Sequence, residues 1–392
     1  MKNWRCIWPH RSTTKYQKAL HKITTSDKDI ISKLPDDILH KILSSVDIKQ
    51  AVQTSILSKR WRSLCYSMPD LTFDFESPHF RNRKGMRFVT LYLSSRDDTS
   101  SIDKFTLKSK HMSTDPTFLG NCISYAISHG ARHLDIDANC HPTPLRYLPD
   151  NLFVSETLRV LNIKQYTNSI VVPKQPFTIP NLKTLHLDSF EFRDDNNDPY
   201  RFPTEPFSGF PILEELTIRN CEVSGLIIRS TRLRVLEISF GQPLFSRQVK
   251  IERISAPVLS SFRYEGYVSL VCPEMDIPCL ESVYFDVYAV LASPYTNDVK
   301  KKMPNNLVRM LQQLGNAKFV TLTLHTIQVL AMDLHLLEKS PSPFTNMKCL
   351  KLKKRRRLFP RMEIVPEIVM QYLTQGSVYG DSLVVEFPKR IL

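Results

Sequence analysis

The sequence predicts a two-part α+β/α/β chain: three short helices near the N-terminus, then an irregular solenoid of short parallel strands forming one curved sheet. Two patterns predict it. Residues 30–72 space their apolar side chains as a helix does, and from about residue 100 onward one short apolar pattern recurs ten times. Four of the recurrences are led in by the same apolar–proline pair.

In the helical unit, Pro35 suits the first helical position, where its missing N–H costs nothing. Asp36 and Asp37 put negative charge in the first turn, where the helix dipole favours it. Ile38, Leu39, Ile42, Leu43 and Val46 then make one broad apolar stripe. Asp47 is placed to cap a second helix carrying Ile48, Ala51 and Val52. SILSKRWRSL continues as a third, with Ile56, Leu57, Trp61 and Leu64 mostly on one side and Lys59, Arg60 and Arg62 on the other, until Met68-Pro69 stops it. About forty residues are too few for a self-sufficient core, so the unit needs either the rest of the chain or another protein against it.

The recurring pattern is an apolar residue, two spacers, an apolar residue, one spacer and an apolar residue: LRVLNI (158–163), LKTLHL (182–187), LEELTI (213–218), LRVLEI (233–238), LSSFRY (259–264) and LESVYF (280–285), with looser copies elsewhere. Its middle apolar positions are read at 105, 134, 161, 185, 216, 236, 262, 283, 322 and 350. Strand alternation turns Leu216 and Ile218 inward and Glu215, Thr217 and Arg219 outward. No unit buries its apolar side alone, so neighbours must stack. Ile179-Pro180, Phe210-Pro211, Ala256-Pro257 and Ile277-Pro278 set the bend into their strands without removing a central ladder bond. Units of 20–21 residues leave little room for a helix on the outer side and are expected to return by loops. The insertion at 191–210 reads as an exposed loop; its DDNND run lacks the spaced acids and closing Glu of a calcium loop. Leu307, Val308, Leu311 and Leu314 mark a helix within 291–316, EIVPEIVMQYLTQ a later one, and Ser382–Phe387 a closing strand. The expected divisions are a disordered basic lead (1–29), the helical unit (30–72), a linker or first-repeat region (73–100), the repeats (101–357) and a helix–strand cap (358–392).

The net charge of +14 is local. Residues 1–29 carry seven Lys/Arg and two Asp, residues 339–361 nine Lys/Arg and no acid, and the remaining 37 basic and 37 acidic residues balance. A nucleic-acid partner, which calls for a basic face across a domain, is therefore not expected. No apolar run is long enough to span a membrane. The eight cysteines show no metal-ligand or paired spacing and read as reduced, mostly buried thiols. Ten glycines form no phosphate-binding loop, G-x-S-x-G and H-E-x-x-H are absent, and His186 and His325 fall on expected strand faces. No catalytic residue, metal site or cofactor is expected.

The stretch LPDDILHKILSSVDIKQAVQTSILSKRWRSL resembles the F-box as it occurs in plant proteins that join an F-box to leucine-rich repeats. The likeness runs through Leu34-Pro35-Asp36, Ile38, Leu39, Ile42, Leu43, Thr54-Ser55 and Leu57–Arg62; Cys65-Tyr66 departs from it, where relatives often carry a Trp. LEELTIRNCEV, with Cys221 and Val223 at the Asn/Cys and apolar positions, is similar to a leucine-rich repeat. The resemblance implies a non-catalytic substrate receptor that docks a Skp-type adaptor of a cullin-based ubiquitin ligase and holds a target protein on its repeats, in the nucleus, the cytoplasm or both. The expected adaptor face is Leu34, Pro35, Ile38, Leu39, Ile42, Leu43, Leu57, Ser58 and Trp61. Outward array positions put forward for the target are Asn162, Lys164, Thr184, His186, Asp188, Glu215, Thr217, Arg219, Glu237, Arg263, Glu265, Tyr284 and Asp286. Competing readings are a nucleic-acid or inositol-phosphate binder using 1–29 and 339–361, and a repeat scaffold with no ligase role. The run KLKKRRR also fits a nuclear-import signal or a solvated turn.

Overall fold

The computed structural model describes residues 31–387 except 78–79, 81–82, 141–147, 166–169, 172–177, 193–204, 241–249, 267–271, 288–296 and 355–364. The basic lead, the DDNND run and Arg355–Arg357 lie outside the described residues.

Three helices form the N-terminal unit: α1 (Asp36–Ser44), α2 (Ile48–Thr54) and α3 (Lys59–Tyr66). Pro35 sits one position earlier than expected, as the residue before the first turn. Asp47 accepts from Lys49 N at 2.8 Å and Ser58 from Trp61 N at 3.2 Å, each satisfying an N–H that a helix start leaves open.

Strands are numbered along the chain. Among the described residues, twelve make one all-parallel sheet: β1 (Asp70–Asp74), β2 (Lys104–Ser113), β3 (His133–Asn139), β4 (Val160–Gln165), β6 (Thr184–Asp188), β8 (Glu215–Arg219), β10 (Val235–Ser239), β12 (Ser261–Gly266), β14 (Ser282–Val287), β15 (Phe319–Thr323), β16 (Cys349–Lys353) and β17 (Val384–Glu386). The register is that of stacked repeats. Phe105 faces Leu134, then Leu161, Leu185, Leu216, Leu236, Phe262 and Val283 in turn. Two positions differ from the sequence reading. Leu71 pairs with Phe105, so the array opens at β1, directly after α3. Val283 pairs with Val320, not Leu322, because the buried Ala317 fills the first apolar position of that unit.

Behind the middle of this sheet lie, among the described residues, five more parallel strands, β9 and β13 of them in the short units where loops were expected: β5 (Ile170–Val171), β7 (Phe190–Phe192), β9 (Glu222–Arg229), β11 (Lys250–Ser255) and β13 (Glu274–Asp276). The corner from one sheet to the other is tight. Ser189 and Asn220 have φ of 69° and 49°, a region in which Asn is tolerated better than most residues. Asn220 Nδ2 donates to Asp188 Oδ1 at 2.9 Å, and Phe190 N donates to Cys221 Sγ at 3.4 Å. Complete burial pushes the Cys221 thiol up to about 12.

Helices back the two ends: α4 (Arg83–Leu93) and α5 (Pro116–Ser128) early, then α6 (Asn297–Gln312), α7 (Leu324–Leu330), α8 (Leu334–Lys339) and α9 (Glu367–Thr374) late. Leu307, Val308, Leu311 and Leu314 are all buried. A single cluster of buried side chains runs from Leu39 in α1 to Leu373 in α9. The helical unit thus has its missing core supplied by the repeats. Two polar bonds lock the joint: Tyr92 OH donates to Cys65 O and Arg96 Nη1 to Met68 O, both at 2.7 Å, with Arg96 itself buried.

Candidate functional site

Two surfaces remain after the core is assigned. The first is on the helical unit. Its apolar stripe divides, because adjacent residues on a helix point about 100° apart. Leu39 and Leu43 face inward and are buried, as is Trp61 with Leu64 and Cys65 on α3. These three expected adaptor residues are therefore core, and they shape the surface from beneath. What stays outside is Ile38 (36% exposed), Ile42 (42%), Val46 (42%), Leu57 (59%) and Ile56 (86%), with Pro35 and Ser58 exposed beside them and Leu34 half-buried at their foot. Val46 and Ile56 belong to this ridge although the sequence reading left them off the adaptor face; their place in the apolar pattern was the available signal. Arg60 fixes one end of the ridge: Nε donates to Asp36 Oδ1 at 2.9 Å and Nη2 to Leu34 O at 2.6 Å, tying the start of α3 to the start of α1.

The second surface is the polar face of the twelve-stranded sheet, opposite the core. One row across it reads Asp74, Lys108, Asp137, Lys164, Asp188, Arg219, alternating in sign over six successive strands. Opposite charges facing one another across strands favour this register. The neighbouring row reads Asp135, Asn162, His186, Thr217, Glu237, Arg263, Tyr284. Glu237 accepts from Arg219 Nη2 at 2.8 Å, and Arg263 lies over the Tyr284 ring with Cζ 3.7 Å from the centroid. Burial, with Arg219 next in weight, holds the His186 imidazole below its usual range, while burial raises the Asp135 carboxyl against the pull of Lys108 and Lys104.

Ten of the thirteen array candidates are accessible on this face: Asn162, Lys164, Thr184, His186, Glu215, Arg219, Glu237, Arg263, Glu265 and Tyr284. Three are corrected. Asp286 is fully buried; Thr323 Oγ1 donates to its Oδ1 at 2.6 Å, and His325 Nδ1 stands 3.4 Å from the same oxygen. His325 is on helix α7, not on a strand, and that helix closes over Asp286. Asp188 is buried at the corner, held by Asn220 and Ser189. Thr217 is buried between His186 and Glu237. Among the described residues, no group of three or more His, Cys, Asp or Glu side chains could hold a metal ion, and no helix is long and apolar enough to cross a membrane.

A helical unit of this geometry leading into stacked parallel repeats is similar to the arrangement of an F-box joined to leucine-rich repeats. The family model for the F-box domain matches residues 31–72. Along most of its length the chain is similar to plant proteins of that architecture. It is 28% identical over 324 residues to the F-box/LRR-repeat protein At2g42730 of Arabidopsis thaliana, covering 77% of this chain and 67% of the relative. It is 29% identical over 319 residues to the F-box/LRR-repeat protein At5g02910 of the same plant, covering 78% and 62%. A shorter match, 35% identical over 211 residues, is to the F-box protein At3g59150, covering 51% and 42%. The chain spans about half to two thirds of the length of such relatives.

Proposed function

We propose that this chain is the substrate-recognition subunit of an SCF-type ubiquitin ligase. The F-box ridge docks on a Skp-type adaptor, the polar face of the repeats holds a target protein, and the chemistry of ubiquitin transfer belongs to other subunits. One observation carries the reading. Ile38 and Ile42 on α1, Val46 in the turn after it, and Ile56 and Leu57 in the turn between α2 and α3 all stay exposed, although a continuous core lies directly beneath the unit. An apolar patch at such a place marks an interaction site, and a few anchors of this kind supply most of the energy of a standard interface. The buried neighbours Leu39, Leu43 and Trp61 hold the ridge in shape.

The test is titration of a purified Skp-type adaptor onto the full chain. Ile42→Asp with Leu57→Asp is expected to abolish binding while the circular dichroism spectrum is kept. Binding that survives this double substitution but is lost on neutralising Lys348, Lys353 and Lys354, with a steep salt dependence, would sink the reading in favour of a polyanion-binding protein.

A further inference from the structure

The late end of the polar face is neither wholly polar nor balanced in charge. From β14 to β17, Ser282, Phe319, Cys349 and Val384 stand in one register row. Phe319 is 51% exposed and Val384 54%, with Cys349 half-buried between them. Val378 and Tyr379, in the turn before β17, are exposed as well. Among the described residues, no other strand of this sheet carries an exposed large apolar side chain. The lysines here outnumber the acids. Lys318 is held by Glu281 at 2.8 Å and Lys351 by Glu386, whereas Lys348, Lys353 and Lys354 are exposed and paired with no acid among the described residues. With Asp381 of the turn Gly380–Ser382 counted, these five lysines stand against three acids. Lys348 Nζ lies 5.2 Å from the Tyr379 ring centroid and Lys353 Nζ 5.7 Å from that of Tyr284, so cations and apolar surface are interleaved. The early end differs in both respects: Lys104, Lys108 and Lys164 alternate with Asp74, Asp135 and Asp137, and no apolar row is exposed beside them.

Resting on the recognition role proposed above, we propose that β14–β17 form the docking site for an acidic segment of the target protein that carries one bulky apolar anchor. The anchor lies on Phe319, Cys349 and Val384. Its flanking carboxylates meet Lys348 at one end of β16 and Lys353 and Lys354 at the other. Cys349 and Lys353 are the two ends of that strand, about 13 Å apart at roughly 3.3 Å per residue, so the segment has one carboxylate beside its anchor and another about four residues on. Covering the exposed row removes apolar surface from water, and the lysines select the sign of what approaches. Toward β12 the site ends at Glu237 and Glu265, which Arg263 already holds and which would repel a carboxylate. Other occupants fit less well. A second copy of this chain would set its own lysines against these. A nucleic acid would satisfy the lysines and leave the apolar row wet. A lipid surface needs a broad apolar plane, whereas this row is one side chain deep and bordered by Thr321 and Lys351.

The experiment uses the full chain and fluorescence anisotropy. The probe is a labelled peptide with one phenylalanine, a glutamate pair beside it and a second pair about four residues on, made in both chain directions. Controls are the same peptide with alanine for phenylalanine, the same peptide with glutamine for glutamate, a single-stranded oligouridine, and vesicles of phosphatidylcholine with phosphatidylserine. The expected result is saturable binding of the probe, about tenfold tighter than that of either control peptide. Phe319→Ser with Val384→Ser should weaken it about tenfold and leave its salt dependence unchanged. Lys353→Glu with Lys354→Glu should weaken it as much and flatten the salt dependence. All four side chains are exposed, so both variants keep the parent fold, which circular dichroism checks. Absence of saturable binding overturns the inference. So does equal affinity for the alanine peptide, which reduces the site to a polyanion contact. Tighter binding of oligouridine or vesicles, or a dimer in sedimentation that the Phe319 and Val384 variant abolishes, overturns it in favour of that occupant. Adaptor titration on the same samples reads the ridge alone. A chain that binds adaptor and not the probe refutes the docking site and spares the receptor role, and the reverse pattern refutes the receptor role.

Discussion

The helical unit and the repeat array put their apolar side chains to opposite use. In the array, row after row from Phe105 to Leu350 is buried, and what faces out is polar and largely paired with itself. In the helical unit the core is filled from Leu39, Leu43 and Trp61, yet Ile42, Ile56 and Leu57 are left outside. The contrast separates two kinds of recognition. A greasy ridge concentrates affinity in a few anchors and suits an invariant partner, whereas a polar face spreads discrimination over many weak contacts and suits selection among partners.

The strongest way to break this contrast is to attack the buried side of each region. Leu39→Ala in α1 and Phe262→Ala in β12 should each cost about 2–5 kcal/mol in urea unfolding, with a single transition, because both belong to one core. Two separated transitions would mean that the helical unit stands apart from the repeats. Next in size, Ile42→Asp alone should weaken adaptor binding by about 2 kcal/mol or more while leaving the unfolding midpoint close to that of the parent protein. An equal loss of stability would show that Ile42 is core after all. Smaller again, Arg263→Ala should cost about 0.5–1 kcal/mol through the lost contact with Tyr284, and an unchanged melting temperature would place that contact among the neutral ones.

A pH titration sharpens the polar side. Because His186 binds a proton less readily in the folded chain than in the unfolded one, its contribution is intact above its ordinary value near 6.5 and is lost as pH falls below it. His186→Asn should therefore flatten the acid side of the stability profile, and an NMR-measured value at or above 6.5 would refute the burial argument. The smallest effect is expected at Arg60, whose pair with Asp36 is largely solvated: Arg60→Ala should shift stability by no more than about 1 kcal/mol.

Much of this architecture was legible in the sequence because period is legible. The repeat pattern placed ten of the twelve strands of the main sheet to within a residue or two and missed β1, and the helical stripe placed α1 to α3. Direction was not. A stripe holding Ile38, Leu39, Ile42 and Leu43 is wider than one contact, and nothing in it tells a partner inside the chain from one outside; the repeats took Leu39 and Leu43. Asp286 looked outward by alternation and was overruled by Thr323 and His325, which arrive on the following strand and helix. The second sheet escaped because strands of two or three residues such as β5 and β13 have no period to read. The longer β9 did carry one, in the buried Leu226 and Ile228, whereas in β11 a register shift between Ile251 and Arg253 sets the buried Ile251 and Ile254 three residues apart and breaks the alternation.

The bonds from Tyr92 and Arg96 to the carbonyls of Cys65 and Met68 have a mechanical consequence. They close the only stretch of chain between the ridge and the first repeat, so that stretch cannot act as a swivel. Whatever is gripped at one end would be carried as on a fixed bracket, at a constant separation and angle from whatever is gripped at the other. Any slack needed to bring the two cargoes together would have to come from the cargoes themselves.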